Sequence, residues 1–318
     1  MMLAGRDSLA AYAVAQYPWF SVARHHKIIF EHLEALERGD FKKLMVFTPP
    51  QHGKTSSCSE LFPSWCMGRH AYWRTIVVSY GQERANDFGG QIRTLIDRPY
   101  HQAIFPDSHL DPTVQAVNDF QLLPVKGKPM GAVRAAGRKA SITGLPADLI
   151  IIDDPYSDQL EARSEAVQKE VRKLMNTVID ARMHPETRLL LIMTRWDPDD
   201  LAGWELEEHP QGWKVLSLPA IGKWTAELPS DWYTELSEDQ KKRYEQDAIR
   251  IPDEIDGEPL WPERYPREFV LAKRDRLTRD EWLSIHQQMP TRDGDEVVFQ
   301  DSWFRTFSRA KLYDGEQA

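Results

Sequence analysis

The sequence is poor in cysteine: Cys58 and Cys66 are its only two, eight positions apart, and neither has a Cys or His neighbour at zinc-finger spacing. That excludes a disulfide framework and a cysteine-based zinc site, and it fits a reducing compartment. No apolar run approaches the roughly twenty residues of a membrane helix. The N-terminus also lacks the charged flank, apolar centre and cleavage pattern of an export signal, so a soluble, unexported protein is expected. Net positive charge is missing too: 40 Lys and Arg face 49 Asp and Glu, a balance of −9. Any contact with nucleic acid must therefore be local or made with partners. There is no internal repeat and no low-complexity tract. What is present is 41% hydrophobic residues in a 318-residue chain, enough for one large α/β core with a smaller appended piece. Charge is uneven along the chain. Between Gln121 and Ala147 lie Lys126, Lys128, Arg134, Arg138 and Lys139 with no acid, whereas 225–263 is rich in Asp and Glu. The basic stretch reads either as a solvated loop or as a functional one.

The segment 48-TPPQHGKTSS-57 nearly matches the phosphate-loop pattern G-x-x-x-x-G-K-[ST], with Thr48 in place of the first glycine. Its context has the required order. The apolar 42-KKLMVFT-48 predicts a buried strand that Pro49 and Pro50 stop, and a helix is expected from Lys54 to about Met67, bent or broken by Pro63. The loop residues Pro50, Gln51, His52, Gly53, Lys54, Thr55 and Ser56 would then surround phosphates. Backbone N–H groups and the helix N-terminus face the anion, Lys54 offsets its charge, and the Thr55 hydroxyl reaches Mg²⁺.

Four more segments read as buried strands: 74-RTIVVSY-80, 148-DLIIIDD-154, 188-RLLLIMT-194 and 213-WKVLSLP-219. Helical segments at 83–97 and 159–182 alternate with them, which predicts a mainly parallel sheet covered on both faces, with ligand residues at the strands' carboxyl ends. There, 149-LIIIDD-154 reads as a Walker B element: Asp153 would hold Mg²⁺ and Asp154 would polarise an attacking water. The competing reading is a strand ending in a solvated turn before Pro155, and the phosphate loop about a hundred residues earlier weighs against it. If 188–194 is inserted between the two functional strands, Thr194 can sense the γ-phosphate; Arg195 and Trp196 serve either there or in packing.

Taken in order, 24-RHHKIIFEHLEALERGD-40, 45-MVFTPPQHGKT-55, 76-IVVSYGQERANDFG-89, 141-SITGLPADLIIIDDP-155, 194-TRWDPDDLAG-203 and 287-QQMP-290 resemble the ATPase region of the large terminase subunit of tailed bacteriophages. The resemblance implies a RecA-like P-loop NTPase of the ASCE type with a small lid subdomain. It also implies an ATP- and Mg²⁺-dependent motor that moves double-stranded DNA into the procapsid. Its partners would be portal protein, the small terminase subunit and copies of itself in a ring, expected to be a pentamer, in the cytoplasm of the infected bacterial host. Carried over residue by residue, Lys54 and Thr55 take the Walker A roles, Asp153 the magnesium role and Asp154 the catalytic role, while Thr194 couples hydrolysis to movement. The stretch 24-RHHKIIF-30 looks like the adenine-side motif, with His26 and His25 as candidates.

Three departures stand out. Many relatives carry arginine where this chain has Gln51, so another arginine is expected to serve as a finger to a neighbouring subunit's nucleotide: Arg138 first, in its acid-free loop, then Arg134. Asp153-Asp154 replaces the common Asp-Glu. Full-length relatives continue into a nuclease domain, and the chain ends at Ala318 where that domain would begin, so no DNA-cutting site is expected. The expected division is an ATPase core at 1–218, a lid at 219–290 and the start of a linker at 291–318. Two rival functions stay open: a helicase-like nucleic-acid-dependent ATPase, which would carry a second RecA-like core, and a nucleotide-gated assembly module docking on portal or small terminase.

Overall fold

The computed structural model describes residues 3–222, apart from 141, 143 and 145, together with residues 257–291. The linker expected at 291–318 thus lies almost wholly outside the described residues, as does most of the acidic stretch.

The expected strands form at Lys43–Phe47 (β1), Arg74–Ser79 (β2), Leu149–Asp153, Arg188–Ile192 and Trp213–Ser217. Three more arise where no strand was expected: Leu110–Ala116 (β3), Asp119–Leu122 (β4) and Ala132–Gly137 (β5). In chain order the later strands are therefore β6 (149–153), β7 (188–192) and β8 (213–217), and the sheet runs β3-β4-β5-β2-β6-β7-β1-β8. From β5 to β8 every pairing is parallel, while β3, β4 and β5 pair antiparallel. This corrects the reading of 121–147 as one open loop. The run 132-AVRAAG-137 carries small residues in place of an apolar signature because a helix passes close by. A Cβ on Gly137 would lie 2.7 Å from the backbone nitrogen of Gln82, the first residue of the helix Gln82–Asp97.

Side chains alternate across the parallel strands, as strand geometry requires. Leu44, Val46, Val77, Ile151, Leu190 and Ile192 enter the core on one face, shared with the helices Leu9–Gln16 and Arg24–Arg38. Met45, Phe47, Ile150, Ile152, Leu189 and Leu191 enter the core on the other face, with Val171 and Leu174. Burial on both faces is why these strands read as unbroken apolar runs. A third, smaller core joins Ala220 and Ile221 to Val270, Trp282 and Leu283.

Two helices differ from expectation. After the phosphate loop the chain is helical from Lys54, widens to π-helix at Ser56–Leu61 and tightens to α-helix at Phe62–Arg69. Pro63 neither breaks nor ends it, because it falls where π-helix gives way to α-helix and the i→i−4 ladder is already interrupted. The segment 159–182 is not one helix: it divides at Ser164, whose backbone is extended (φ −78°, ψ 113°), into Gln159–Arg163 and a stretch that is α-helix at Glu165–Lys173, π-helix at Leu174–Ile179 and 3-10 helix at Asp180–Arg182.

Candidate active site at the phosphate loop

Strand β7 lies between β1 and β6, so the loop after β1 and the acids ending β6 are separated by the strand that leads to Thr194. Register brings the strand ends level: Ser79 pairs with Asp153, Asp153 with Ile192, and Val46 with Ile192. Every loop leaving these ends opens at one crest, the place where parallel sheets hold ligands.

The loop turns without a glycine at 48. Its reversals come from Gln51 (φ 64°) and Gly53 (φ 77°), while Thr48 keeps negative φ and is buried. Gly53 is needed on two counts: left-handed φ favours it, and a Cβ there would lie 2.5 Å from His26 Nε2. Among the described residues, no protein acceptor is found for the backbone N–H groups of Gln51 and of Gly53 through Ser56, while Pro50 and Gln51 form a turn; the first helical bond past the loop runs from Ser57 N–H to the Gly53 carbonyl. A row of unanswered donors at a helix start is a cradle for an anion.

Lys54 is buried with its ammonium at the mouth of this cradle, donating to Thr194 Oγ1 at 2.9 Å and to Asp154 Oδ1 at 3.2 Å. Asp154 Oδ1 also accepts the Thr194 backbone N–H at 2.9 Å. The Asp154 backbone sits in the left-handed region (φ 44°), uncommon for a non-glycine residue, and is pinned there by hydrogen bonds to the Ile192 carbonyl and from the Tyr80 N–H. Asp153 is fully inside, with Ser59 Oγ donating to its Oδ2. Burial and the neighbouring Asp154 push its carboxyl well above the usual carboxylate range, which is what a cation would relieve. Ser59 follows Thr55 by four residues, so both hydroxyls leave nearly the same side of the helix. Among the described residues no group of three or more His, Cys, Asp or Glu side chains could hold a metal. One carboxylate and one hydroxyl suit Mg²⁺, which keeps waters and takes phosphate oxygens for its remaining ligands.

Comparison with known proteins follows this geometry. The family model for the terminase large subunit, T4likevirus-type, N-terminal, matches residues 45–285. The chain belongs to the terminase large subunit family. Among solved structures it is similar to the large terminase ATPase domain of Thermus phage P74-26, with 15% identity over 81% of this chain and 92% of that one and a TM-score of 0.48. It is also similar to the HK97 bacteriophage large terminase, with 16% identity over 78% of this chain and 52% of that one and a TM-score of 0.42. A third is the large terminase of a thermophilic bacteriophage, solved in complex with ADP, with 14% identity over 68% of this chain and 48% of that one and a TM-score of 0.37. No curated protein matches the chain.

The histidines expected at the adenine side are tied to the loop itself. His25 and His26 are buried, and both donate from Nε2 to the His52 carbonyl, at 3.0 and 3.1 Å. His26 Nδ1 accepts the Ala23 N–H, which fixes its proton on Nε2. Both rings brace the loop through that carbonyl and pack on Trp261 at 5.1 and 4.9 Å. Trp261 and Tyr265, more than 200 positions after the loop, had no signal in the sequence. Ser59 had one, its spacing of four from Thr55.

Burial holds these imidazoles neutral, with His25 lowered to about 2 and His26 and His52 to about 4, from 6.5. Folded values below the unfolded one mean that this stability is complete above about pH 6.5 and is lost as pH falls through about 4. Chemical denaturation should show the protein weakening by about 1–2 kcal/mol per ring between pH 6.5 and pH 5, with a smaller loss in His26→Asn.

Arg138, expected as a finger to a neighbouring subunit, is held within its own subunit. It is buried directly after β5, with its guanidinium on both carboxylate oxygens of Glu161 at 2.7 Å, on Glu170 at 3.2 Å and on the Pro155 carbonyl at 3.0 Å. All its donor nitrogens are engaged within its own subunit, so it does not project from an open loop toward a neighbour. The second choice, Arg134, pairs with Asp119 at 2.7 Å. Arg195 is buried against Asp200 at 2.9 Å. Arg138→Ala should lower stability by about 2 kcal/mol, the scale of hydrogen bonds to charged groups, because the partly exposed glutamates can rehydrate. Denaturant melts of the variant measure it.

Size alone does not locate the site. A groove of about 900 Å³ on the N-terminal helices, lined by Ala11, Val14, Phe30 and Glu34, contains none of these residues.

Proposed function

We propose that this chain is the ATP-hydrolysing motor subunit of a phage terminase, which drives double-stranded DNA into the procapsid. The observation that carries the reading is Lys54: a buried ammonium held between Asp154 and Thr194 at the mouth of a cradle of N–H donors that no protein group answers.

Each residue then has a task. Gln51 and Gly53 through Ser56 bind the β- and γ-phosphates by backbone N–H groups, with Pro50 stopping the strand that leads in. Lys54 places positive charge on the γ-phosphate. Thr55 and Asp153 would hold Mg²⁺, which when bound neutralises phosphate charge. Asp154, held in place by Lys54 and the Thr194 N–H, orients the attacking water and takes its proton as the bond from the γ-phosphorus to the bridging oxygen breaks. Thr194 reports the state of the γ-phosphate to the lid, since the carbonyl of the next residue, Arg195, accepts from Ser284 Oγ at 2.7 Å. The same reading takes 1–218 as the core and 219–290 as the lid, and the small apolar cluster of Ala220, Ile221, Val270, Trp282 and Leu283 supports it. Portal, small terminase and a pentameric ring in the infected cell's cytoplasm belong to the same reading; among the described residues no helix is long and apolar enough to cross a membrane.

Steady-state hydrolysis with and without linear duplex DNA and portal tests it. Turnover that rises with both supports the motor. Stimulation by single strands alone would favour the helicase-like alternative, and absence of turnover in the assembled ring the assembly module.

A further inference from the structure

The nucleotide reading needs a surface for the base, and both histidines already spend their Nε2 donors on the His52 carbonyl. The helix Arg267–Arg274 places one beside the cradle. Just ahead of this helix, Tyr265 donates its hydroxyl to Gln51, where the cradle begins, at 3.3 Å from the carbonyl oxygen and 3.4 Å from Oε1. The Tyr265 ring lies 4.9 Å from that of His52. Phe269, four residues on, lies near-parallel to Tyr265 at 5.8 Å and 24° and is 54% exposed. Its neighbour Val270 is buried in the lid core, which turns Phe269 outward. Arg264 sits 5.5 Å over the Tyr265 ring, adding positive charge at the same rim. A large open ring one contact away from the phosphate donors, on a residue the lid core does not use, has the chemistry of a base-stacking platform.

The geometry points to Phe269, supported by Tyr265, as the surface on which the purine ring of a nucleoside triphosphate stacks. This rests on the nucleotide reading above and names the residue that grips the base. A purine overlaps a phenyl ring more fully than a pyrimidine does, so the platform also favours ATP over UTP.

Calorimetric titration of the full chain with ATP, UTP and inorganic tripolyphosphate, each with Mg²⁺, tests the assignment. Phe269→Ala is expected to weaken ATP about tenfold, the loss of one base stack. It should narrow the ATP-to-UTP ratio and leave tripolyphosphate unchanged, and Phe269→Trp should restore ATP. Leu160→Ala, which removes a side chain 83% exposed on the helix Gln159–Arg163, should change none of them. Unchanged ATP affinity in Phe269→Ala, or an equal loss for ATP and tripolyphosphate, overturns the assignment and leaves the phosphate loop standing. If the unmodified chain binds neither ATP nor tripolyphosphate, the nucleotide reading falls and this inference falls with it.

Discussion

Lys54→Ala is expected to lower ATP turnover at least a thousandfold while the far-ultraviolet circular dichroism stays that of the unmodified protein. The ammonium is the only cation in direct contact with both Asp154 and Thr194 among the described residues, and on the reading proposed above it would stand where charge builds on the leaving γ-phosphoryl group. Removing one preorganised charge contact of this kind costs about 10²–10³ in rate where the site is dry. Here the loss is larger, because the carboxylates of Asp153 and Asp154 then face each other uncompensated. Nucleotide affinity should also fall, since a cation beside phosphates acts in the ground state too. The fold survives because Lys54 packs at the crest and takes no part in either apolar core. Turnover within tenfold of the unmodified protein would remove Lys54 from the chemistry.

The paired acids should separate cleanly. Asp154→Asn keeps the shape and the Thr194 N–H bond but cannot accept a proton, so ATP should bind nearly normally while kcat drops about a thousandfold, within the range of general-base loss. Asp153→Ala should act on binding: the dependence of affinity on Mg²⁺ should flatten, because the buried carboxylate paired to Ser59 is the one that would hold the ion. Titrations across Mg²⁺ concentrations, alongside single-turnover hydrolysis, measure both. Equal and mild losses in the two variants would mean that β6 simply ends in a solvated turn.

Much of this site was legible in one dimension. The apolar runs of β1, β6 and β7 are long enough to be buried on two faces, and such strands can only pair in a covered parallel sheet. Residues at their ends, Lys54, Asp153, Asp154 and Thr194, were therefore bound to meet at one crest. Local chemistry sufficed because strand direction and the loop after it are properties of contiguous residues. The small-residue strand β5 was invisible for the opposite reason: Gly137 is small to admit the backbone of Gln82, far off in sequence.

The sequence by itself determined which residues could bind a phosphate, hold a cation and polarise water, since those capacities belong to side chains and to their place at the ends of strands. Only the tertiary structure decided the partners. Arg138 looked open in an acid-free stretch, yet Glu161 and Glu170 reach it from helices beyond Asp154 and consume its donors. His25 and His26 carried an adenine-side expectation, and only the fold shows that both bond the His52 carbonyl and pack on Trp261. Tyr265 touches Gln51 from 214 positions away. Hydrogen bonds and burial depend on distance in space, and a chain that packs both faces of a sheet brings remote residues together in ways its local pattern does not encode.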